Sequence, residues 1–403
     1  MGTEIATKSK DTDTGVIPRE WSVLNVGKIG RVVTGKTPPT NNPEYYGDDY
    51  PFVKIPDMTD SVYINKTNTR ISQKGADYLG KAKIPKNSIM VSCIATIGNV
   101  GIASEDSFTN QQINSLIPDK DIADFKYLYY FFKSNKELLE SLGGGGSVYT
   151  NISKSKFENM PVVLPELPEQ KIISEILSSL DDKMELNRRI NANLEKLANT
   201  LFKQWFVDIG DKLPDSWEVK PLDEIANFLN GLALQKYPAE SDDNYLPVIK
   251  IRELNSGITD STDKASSEIP SEYILKNGDV IFSWSGSLDV LIWCNGRGAL
   301  NQHLFKVTSD RYPKWFYYQW IKHFLPIFQG IASDKAVTMG HIKRGHLTES
   351  KVLVPDKQSL LKMDELMSPI IEMVINNSVE IQNLIVMRDS LLPRLMNGKI
   401  RVK

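Results

Sequence analysis

The chain has 403 residues, of which 41% are hydrophobic and 24% are charged, with a formal net charge of −2. This composition is typical of a globular protein with more than one domain and excludes a strongly basic nucleic-acid binder. No apolar run reaches the ~18 residues of a membrane span, and the polar N-terminus lacks a signal peptide's apolar core. Cys93 and Cys294 lie in apolar runs, as expected of buried thiols in a reducing cytoplasm.

Taken in chain order, the first half predicts an arm, a mixed domain and a long helix. Residues 1–19 are polar and predict a disordered arm. From Trp21 onward, β-branched runs alternate with Gly, Asn and Pro, which is typical of strands joined by turns. Residues 124–142 have an aromatic helical pattern, and the glycine run at 143–147 predicts a flexible loop. Residues 168–206 then predict one long amphipathic helix.

The second half repeats the motifs of the first half in the same order. Trp217 follows Trp21 by 196 residues, and the run PVIKI follows PFVKI by the same interval. NQHLFKV at 301–307 follows NQQINSL at 110–116 after 191 residues, a drift that loop insertions and deletions produce. We therefore predict an internal duplication of one α/β (α+β) domain and one helix. The predicted bounds are an arm at 1–19, a first domain at 20–165, a helical spacer at 166–210, a second domain at 211–355 and a C-terminal helical spacer at 356–403.

Both long segments carry an apolar seam whose spacing averages about 3.5 residues, the period of helices that coil around a partner. A helix roughly 58 Å long cannot bury such a seam against a small domain, so we predict that the two helices pair with each other. A duplicated unit arranged about a pseudo-twofold axis requires them to be antiparallel. The predicted seam comprises Leu180, Met184, Asn187, Leu194, Leu201, Ile370, Val374, Asn377, Ile381 and Leu384.

Two details of this helix pair remain open at the level of sequence. The axis should cross the middle of each helix, which predicts that Asn187 and Asn377 approach each other and fix the register. The alternative is that both asparagines face solvent. Ser368 and Pro369 have the pattern of a helix start, and residues 178–182 are rich in cap formers, so each helix could be interrupted.

Catalytic motifs are missing from the chain. It contains neither the glycine-rich loop and NPPY-type tetrapeptide of a DNA methyltransferase nor the phosphate-binding loop of an ATPase. Asp215, Glu218 and Lys220 resemble the metal site of a nuclease, but their spacing is too short and they align with the start of the first domain. The four histidines have no metal-ligand spacing. We therefore expect a protein that is not an enzyme and that holds no metal or cofactor.

Polar side chains at the expected strand and loop ends instead suggest nucleic-acid recognition. Amides and guanidinium groups pair with base edges, whereas Lys and Ser suit phosphates. For any single residue, the alternative is an ordinary solvated position. The candidates are Lys36, Thr37, Lys54, Gln111, Gln112, Lys250, Arg252, Ser283, Ser285, Arg297, Gln302 and His303.

The order of motifs from Trp21 onward resembles the specificity subunit of type I restriction–modification systems. The resemblance rests on LPELPEQKIISEIL at 164–177, GDVIFSWSGSLDVLIWCNGRGALNQHLFKV at 278–307, LFKQWFVD at 201–208 and LLPRLMNGKIRV at 391–402. The segment VPDKQSLLKM at 354–363 differs from the family's usual Pro-Leu-x-Glu-Gln sequence at the start of the second helix.

The resemblance implies two target recognition domains, each reading one half of an asymmetric bipartite sequence in double-stranded DNA. It implies helices that set the spacer and dock two modification subunits, with restriction/translocase subunits completing a cytoplasmic complex. S-adenosylmethionine, ATP and Mg²⁺ would bind those partners. Two alternatives are a self-contained DNA methyltransferase or nuclease and a coiled-coil scaffold without a DNA function.

Overall fold

The computed structural model describes residues 9–12, 15–59, 61–144, 151–210, 214–241, 243–333 and 340–402. The chain divides into two compact units. The first unit comprises Met1–Glu185 and Leu384–Lys403, and the second unit comprises Leu186–Asn383. Within the described ranges, none of the helices is both long and apolar enough to cross a membrane.

The first unit is a mixed α/β domain. Its strands are β1 (Ser9–Thr12), β2 (Gly15–Pro18), β3 (Ser22–Asn25), β4 (Gly30–Thr34), β5 (Tyr46–Val53), β6 (Tyr63–Ile64), β7 (Arg70–Ile71), β8 (Ile89–Ser92), β9 (Val100–Ala103), β10 (Phe108–Thr109), β11 (Ile113–Pro118) and β12 (Pro161–Leu164). Its helices are α1 (Val26–Ile29), α2 (Gln73–Leu79), α3 (Phe125–Ser134), α4 (Lys136–Leu142), α5 (Lys154–Glu158) and the part of α6 (Leu167–Phe206) up to Glu185.

The central sheet of the first unit has the strand order β4-β11-β8-β9-β6. Alternate residues of β8 enter different cores, since Ile89 and Val91 pack with the aromatic helix α3 and Met90 packs on the opposite face. This period of two explains why all four residues of β8 are buried, because both faces of the sheet are covered. A second sheet, β10-β5-β7, contains the parallel pair β5 and β10, with Val53 beside Thr109.

The second unit has the same architecture. Its strands are β13 (Glu218–Pro221), β14 (Asn227–Asn230), β15 (Tyr245–Ile249), β16 (Lys264–Ser266), β17 (Ile274–Leu275), β18 (Val280–Ser283), β19 (Asp289–Ile292), β20 (Gly298–Leu300), β21 (Leu304–Thr308) and β22 (Lys351–Val354). Its helices are α7 (Leu222–Ile225), α8 (Ile251–Ser256), α9 (Lys314–Ser333), α10 (Arg344–Glu349), the part of α6 from Leu186 onward and the part of α11 (Lys357–Met396) up to Asn383. The rest of α11 belongs to the first unit.

The strand order of the second unit repeats that of the first. Its sheet β14-β21-β18-β19 corresponds to β4-β11-β8-β9, and the parallel pair β15 and β20 corresponds to β5 and β10. Val280 and Phe282 of β18 enter the aromatic core, whereas Ile281 packs on the other face. The predicted duplication and fold class are therefore confirmed.

The long helices α6 and α11 pair antiparallel within each unit. In the first unit, Asp181 of α6 bonds Arg388 of α11 at 2.9 Å, and Glu169, near the start of α6, bonds Arg401, just beyond the end of α11, at 2.9 Å, so the two helices run in opposite directions. In the second unit, the side-chain nitrogen of Asn191 donates to the carbonyl of Val374. All ten predicted seam positions are buried or half-buried.

The asparagine partners differ from the expected pair. Asn377 donates to the side-chain oxygen of Asn191 at 2.9 Å, and Asn187 donates to Glu380 at 2.7 Å. Asn187 is buried and Asn377 is half-buried, so the two residues do not both face solvent. Asn187 and Asn191 are successive seam positions one helical turn apart on α6. The partner of Asn377 is Asn191, which is one turn closer to the C-terminal end of α6 than the expected Asn187.

Two further expectations are corrected. Residues 1–8 and 13–14 of the expected arm lie outside the described residues, but β1 and β2 form an antiparallel hairpin. Ile17 is only 2% exposed because it packs in the core with Trp21, and this burial holds β2 against the domain. Neither long helix is interrupted, since α6 runs through 178–182 and α11 runs through Pro369. The predicted loop at 143–147 lies mostly outside the described residues.

Candidate nucleic-acid interface

In the first unit, three chain segments meet at the ends of β4, β5 and β10. The amide of Lys36 donates to the carbonyl of Thr109 at 2.9 Å, and the amide of Asn110 donates to the carbonyl of Val53 at 3.1 Å. These backbone bonds bring together Lys36, Thr37, Lys54, Gln111 and Gln112. All five predicted residues of the first copy therefore lie at one end of the paired strands.

Asn110 shapes the turn that carries the two glutamines. Its side-chain oxygen accepts from the amide of Gln112 at 3.1 Å, and its carbonyl accepts from the amide of Ile113 at 3.2 Å. Its side-chain nitrogen donates to the Oε1 atom of Gln112 at 2.9 Å. Because Asn110 is 8% exposed, it serves as the fixed base of the turn.

The second unit builds the same turn on Asn301, which is 4% exposed. Its side-chain oxygen accepts from the amide of His303 at 3.2 Å, and its carbonyl accepts from the amide of Leu304 at 3.0 Å. Its own amide donates to the carbonyl of Ile249 at 3.2 Å. Gln302 and His303 thus occupy the positions that Gln111 and Gln112 occupy in the first unit.

A glycine passes close to each turn. A Cβ atom built on Gly35 would overlap the carbonyl oxygen of Asn110, and one built on Gly231 would overlap that of Asn301. Any side chain at either position would push the turn away from the strand beside it. The two glycines lie 196 residues apart, so the close approach is part of the duplicated design.

The side chains around the first turn are polar and aromatic. The hydroxyl of Thr37 donates to Oε1 of Gln111 at 2.7 Å, which joins two of the predicted residues. The ammonium of Lys36 lies 4.9 Å from the ring centre of Tyr78, an exposed tyrosine. Lys54 donates through Nζ to the hydroxyl of Thr69 at 3.0 Å.

The side chains around the second turn form a connected cluster. Nδ1 of His303 lies 3.2 Å from the hydroxyl of Ser285, and its Nε2 lies 3.3 Å from the side-chain nitrogen of Gln302. The ring of Trp284 lies 6.1 Å from that of His303, and its Nε1 donates to Asn230 at 3.0 Å. Three of the predicted residues therefore meet beside a half-buried tryptophan.

Carboxylates anchor the predicted cations of the second unit. The amide of Lys250 donates to Glu253 at 3.2 Å, as that of Lys54 donates to Asp57 at 2.9 Å in the first unit. The ammonium of Lys250 pairs with Asp263 and lowers the pKa of that carboxyl below its usual value. Arg252 pairs with Glu253 at 2.7 Å while its own side chain stays 54% exposed.

Two predicted residues do not belong to this cluster. Ser283 is 0% exposed, and its hydroxyl donates to the carbonyl of Ser287 and accepts from the amide of Asp289, so it braces its own loop. Arg297 is exposed but precedes β20, whereas Gln302 follows it. Since β20 runs between them, Arg297 lies at the opposite end of that strand.

Sequence reasoning missed Asn110, Asn301, Gly35, Gly231 and Trp284. The first four recur at the intervals of the duplication, 191 residues for the asparagines and 196 for the glycines. Matching buried polar residues and glycines across the two copies could have identified them. Trp284 has no such signal, because its position in the first copy is Cys93.

The nuclease-like motif forms no metal site. Glu218 and Lys220 pair with each other at 2.7 Å on β13, and the Glu218 side chain is 66% exposed. Among the described residues, no group of three His, Cys, Asp or Glu side chains could hold a metal ion. Cys93 and Cys294 are buried free thiols, and burial raises the pKa of Cys93 to about 11.

Comparisons with known proteins agree with this duplicated architecture. The family described as "Type I restriction modification DNA specificity domain" matches residues 18–196 and 214–385. The chain is 30% identical to the type I restriction enzyme MjaIX specificity subunit of Methanocaldococcus jannaschii, across 98% of this chain and 97% of that protein. It is 39% identical to the HindI specificity subunit of Haemophilus influenzae, across 43% of this chain and 39% of that protein.

A solved structure shares the fold. The type I restriction–modification S subunit of M. genitalium superimposes with a TM-score of 0.61 and 19% identity, covering 96% of this chain and 97% of that chain. The family match covers both copies of the repeat, and the resemblance inferred from the motifs is confirmed. The chain therefore belongs to the family of type I restriction–modification specificity subunits and carries two copies of its DNA specificity domain.

Proposed function

We propose that this chain is the DNA sequence-recognition subunit of a type I restriction–modification complex and is not itself an enzyme. The observation that carries the proposal is the duplicated turn on Asn110 and Asn301, which presents glutamine side-chain amides at equivalent places in two units. Such groups pair with base edges in the major groove. Neighbouring cations, including Lys36 and Arg252, suit the phosphate backbone.

Each unit is proposed to read one half of a bipartite target in double-stranded DNA. The residues on the two turns differ, with Gln111 and Gln112 in the first unit and Gln302 and His303 in the second. Different side chains favour different base edges, so the two half-sites should differ and the target should be asymmetric. The recognition domains are proposed to span residues 20–165 and 211–355, with helical spacers at 166–210 and 356–403.

The long helices are proposed to set the distance between the half-sites. A 40-residue helix is about 60 Å long, which equals roughly 17 to 18 base pairs. Inserting one heptad into both α6 and α11 adds about 10 Å, so the spacer should lengthen by roughly 3 base pairs while the half-sites stay the same. A change in the half-sites, or an unchanged spacer, would contradict this role.

The proposed partners supply the chemistry that this chain lacks. Two modification subunits would dock on the helices and bring S-adenosylmethionine, and restriction/translocase subunits would bring ATP and Mg²⁺. The complex would act in the cytoplasm, where its DNA target lies. The formal net charge of −2 supports weak DNA affinity for the isolated chain, with tight binding in the assembled complex.

The test is selection of bound sequences from a randomised duplex library by the chain assembled with its modification subunits. The proposal predicts enrichment of one asymmetric sequence with two fixed halves and an unspecified spacer. A complex that assembles but enriches no sequence would contradict it. Methylation or cleavage of DNA by the purified chain alone, with Mg²⁺ and S-adenosylmethionine, would favour a self-contained enzyme instead.

A further inference from the structure

The two duplicated turns offer opposite hydrogen-bonding groups to a ligand. This inference rests on the proposed DNA-recognition function and concerns the class of base edge that each turn selects. The turns share their backbone bonds and their buried asparagine, so the difference lies in the side chains that each turn carries.

In the first unit, the amide oxygens of both glutamines are engaged. Oε1 of Gln111 accepts from the hydroxyl of Thr37 at 2.7 Å, and Oε1 of Gln112 accepts from the side-chain nitrogen of Asn110 at 2.9 Å. Their NH₂ groups have no hydrogen-bond acceptor among the described residues, and Gln111 is exposed. The first turn therefore presents two adjacent donors.

In the second unit, the imidazole of His303 reverses this arrangement. The side-chain nitrogen of Gln302 can only donate a hydrogen bond. Nε2 of His303, which lies 3.3 Å from it, is therefore the acceptor. A neutral imidazole that accepts at Nε2 carries its proton on Nδ1, which then donates to the hydroxyl of Ser285 at 3.2 Å. Oε1 of Gln302 has no donor partner in the described part of the chain, and so the second turn presents an acceptor.

The major-groove edges of the bases also differ in whether they offer hydrogen-bond acceptors or donors. Guanine offers two neighbouring acceptors, N7 and O6, whereas adenine and cytosine each offer an exocyclic amine as a donor. We propose that the turn after Asn110 selects guanine in the first half-site, and that the turn after Asn301 selects the amine of adenine or cytosine in the second. Thr37 and His303 act as positioning residues, because each fixes the orientation of a neighbouring glutamine amide.

Matched variants of the two glutamines test the proposal in the assembled complex. Gln111→Glu replaces a donor with an acceptor at nearly constant shape, whereas Gln302→Glu retains the acceptor. Both variants add one negative charge, so a loss of DNA affinity caused by charge alone should be the same in the two variants. The readout is the base preference of each half-site, obtained by library selection. Gln111→Glu should lose the guanine preference by about 5- to 150-fold, the range of one good base contact, and Gln302→Glu should keep its amine preference.

Base analogues in the selected duplex provide a second measurement that leaves the protein unchanged. Replacing guanine with 7-deazaguanine in the first half-site removes N7. In the second half-site, replacing adenine with purine, or cytosine with 2-pyrimidinone, removes the amine. Each replacement should weaken binding by wild-type complex at least 5-fold. The Gln111→Leu complex should bind the 7-deazaguanine duplex as well as the unmodified duplex, but removal of the amine in the second half-site should still weaken its binding.

The outcomes separate this inference from the proposed function. Wild-type complex that selects no bipartite sequence would overturn the proposed function and the inference with it. Selection of a bipartite sequence whose preferences stay the same in Gln111→Glu, or whose first half-site lacks guanine, would overturn the inference alone.

Discussion

The buried ion pair between Asp181 and Arg388 provides the sharpest stability prediction in the first unit. The two side chains are 6% and 13% exposed and bond at 2.9 Å, and Tyr130 donates its hydroxyl to the other oxygen of Asp181 at 2.6 Å. Burial acts to lower the pKa of Arg388, but the hydrogen bonds and negative charges of Asp181 and Asp389 together outweigh it and raise that pKa. Burial also raises the pKa of Tyr130, so its hydroxyl stays protonated as a donor.

Replacing Arg388 with Met leaves a buried carboxylate whose remaining hydrogen-bond partner among the described side chains is Tyr130. Removing one member of a buried pair costs about 3–5 kcal/mol, which is a large fraction of the ~5–15 kcal/mol that holds a typical domain together. The triple variant Arg388→Met, Asp181→Leu and Tyr130→Phe removes all three polar groups together. It should recover to within about 1–2 kcal/mol of wild type, because no buried polar group is left unsatisfied.

Urea unfolding followed by circular dichroism measures these differences. Asp389→Asn is the matched control, because Asp389 bonds the same arginine at 2.8 Å but its side chain is 54% exposed. Its loss should cost less than about 1 kcal/mol. The reasoning is refuted if Arg388→Met costs less than about 1 kcal/mol, or if the triple variant is as unstable as the single one.

Two further predictions concern the second unit. Gly231→Ala should lower the unfolding free energy by ~1–3 kcal/mol, because the new methyl group overlaps the backbone at Asn301. The control is Gly330→Ala in α9, where a Cβ meets nothing within 4 Å. In the same urea assay this control should be neutral or stabilising. Partial desolvation of the exposed His323 and the positive charge of Lys203 lower the pKa of His323 below 6.5, so stability should fall slightly as pH drops from about 6.5 through the folded pKa. His323→Gln should remove that part of the loss between pH 8 and pH 5.5, and an unchanged pH profile would contradict this account.

The duplication and the helix pair could be predicted from sequence because both depend on periodicity. Repeated motifs at near-constant intervals predicted two equal domains, and the two units share the order of the four strands β4-β11-β8-β9 and β14-β21-β18-β19. Gln111 and Gln302 were also found this way, since the turns that carry them lie 191 residues apart in the chain.

Sequence periodicity does not specify which of several neighbouring side chains forms a given contact. Asn187 and Asn191 both lie on the seam of α6, and side-chain geometry alone selects Asn191 as the partner of Asn377. Ser283 could either face a ligand or bond its own loop, and only the folded backbone shows that it does the latter. Arg297 and Gln302 lie at opposite ends of β20, a separation that their nearness in the sequence does not reveal.

Exchange of one recognition domain tests the central claim most directly. Residues 20–165 would be replaced by the equivalent domain of another family member, and the chain would be assembled with its modification subunits. The measurement is the sequence that each complex selects from a randomised duplex library. The account predicts that one half-site changes completely while the other half-site and the spacer length stay the same. Altered preferences in both half-sites, or in neither, would contradict the claim that each domain reads its half independently.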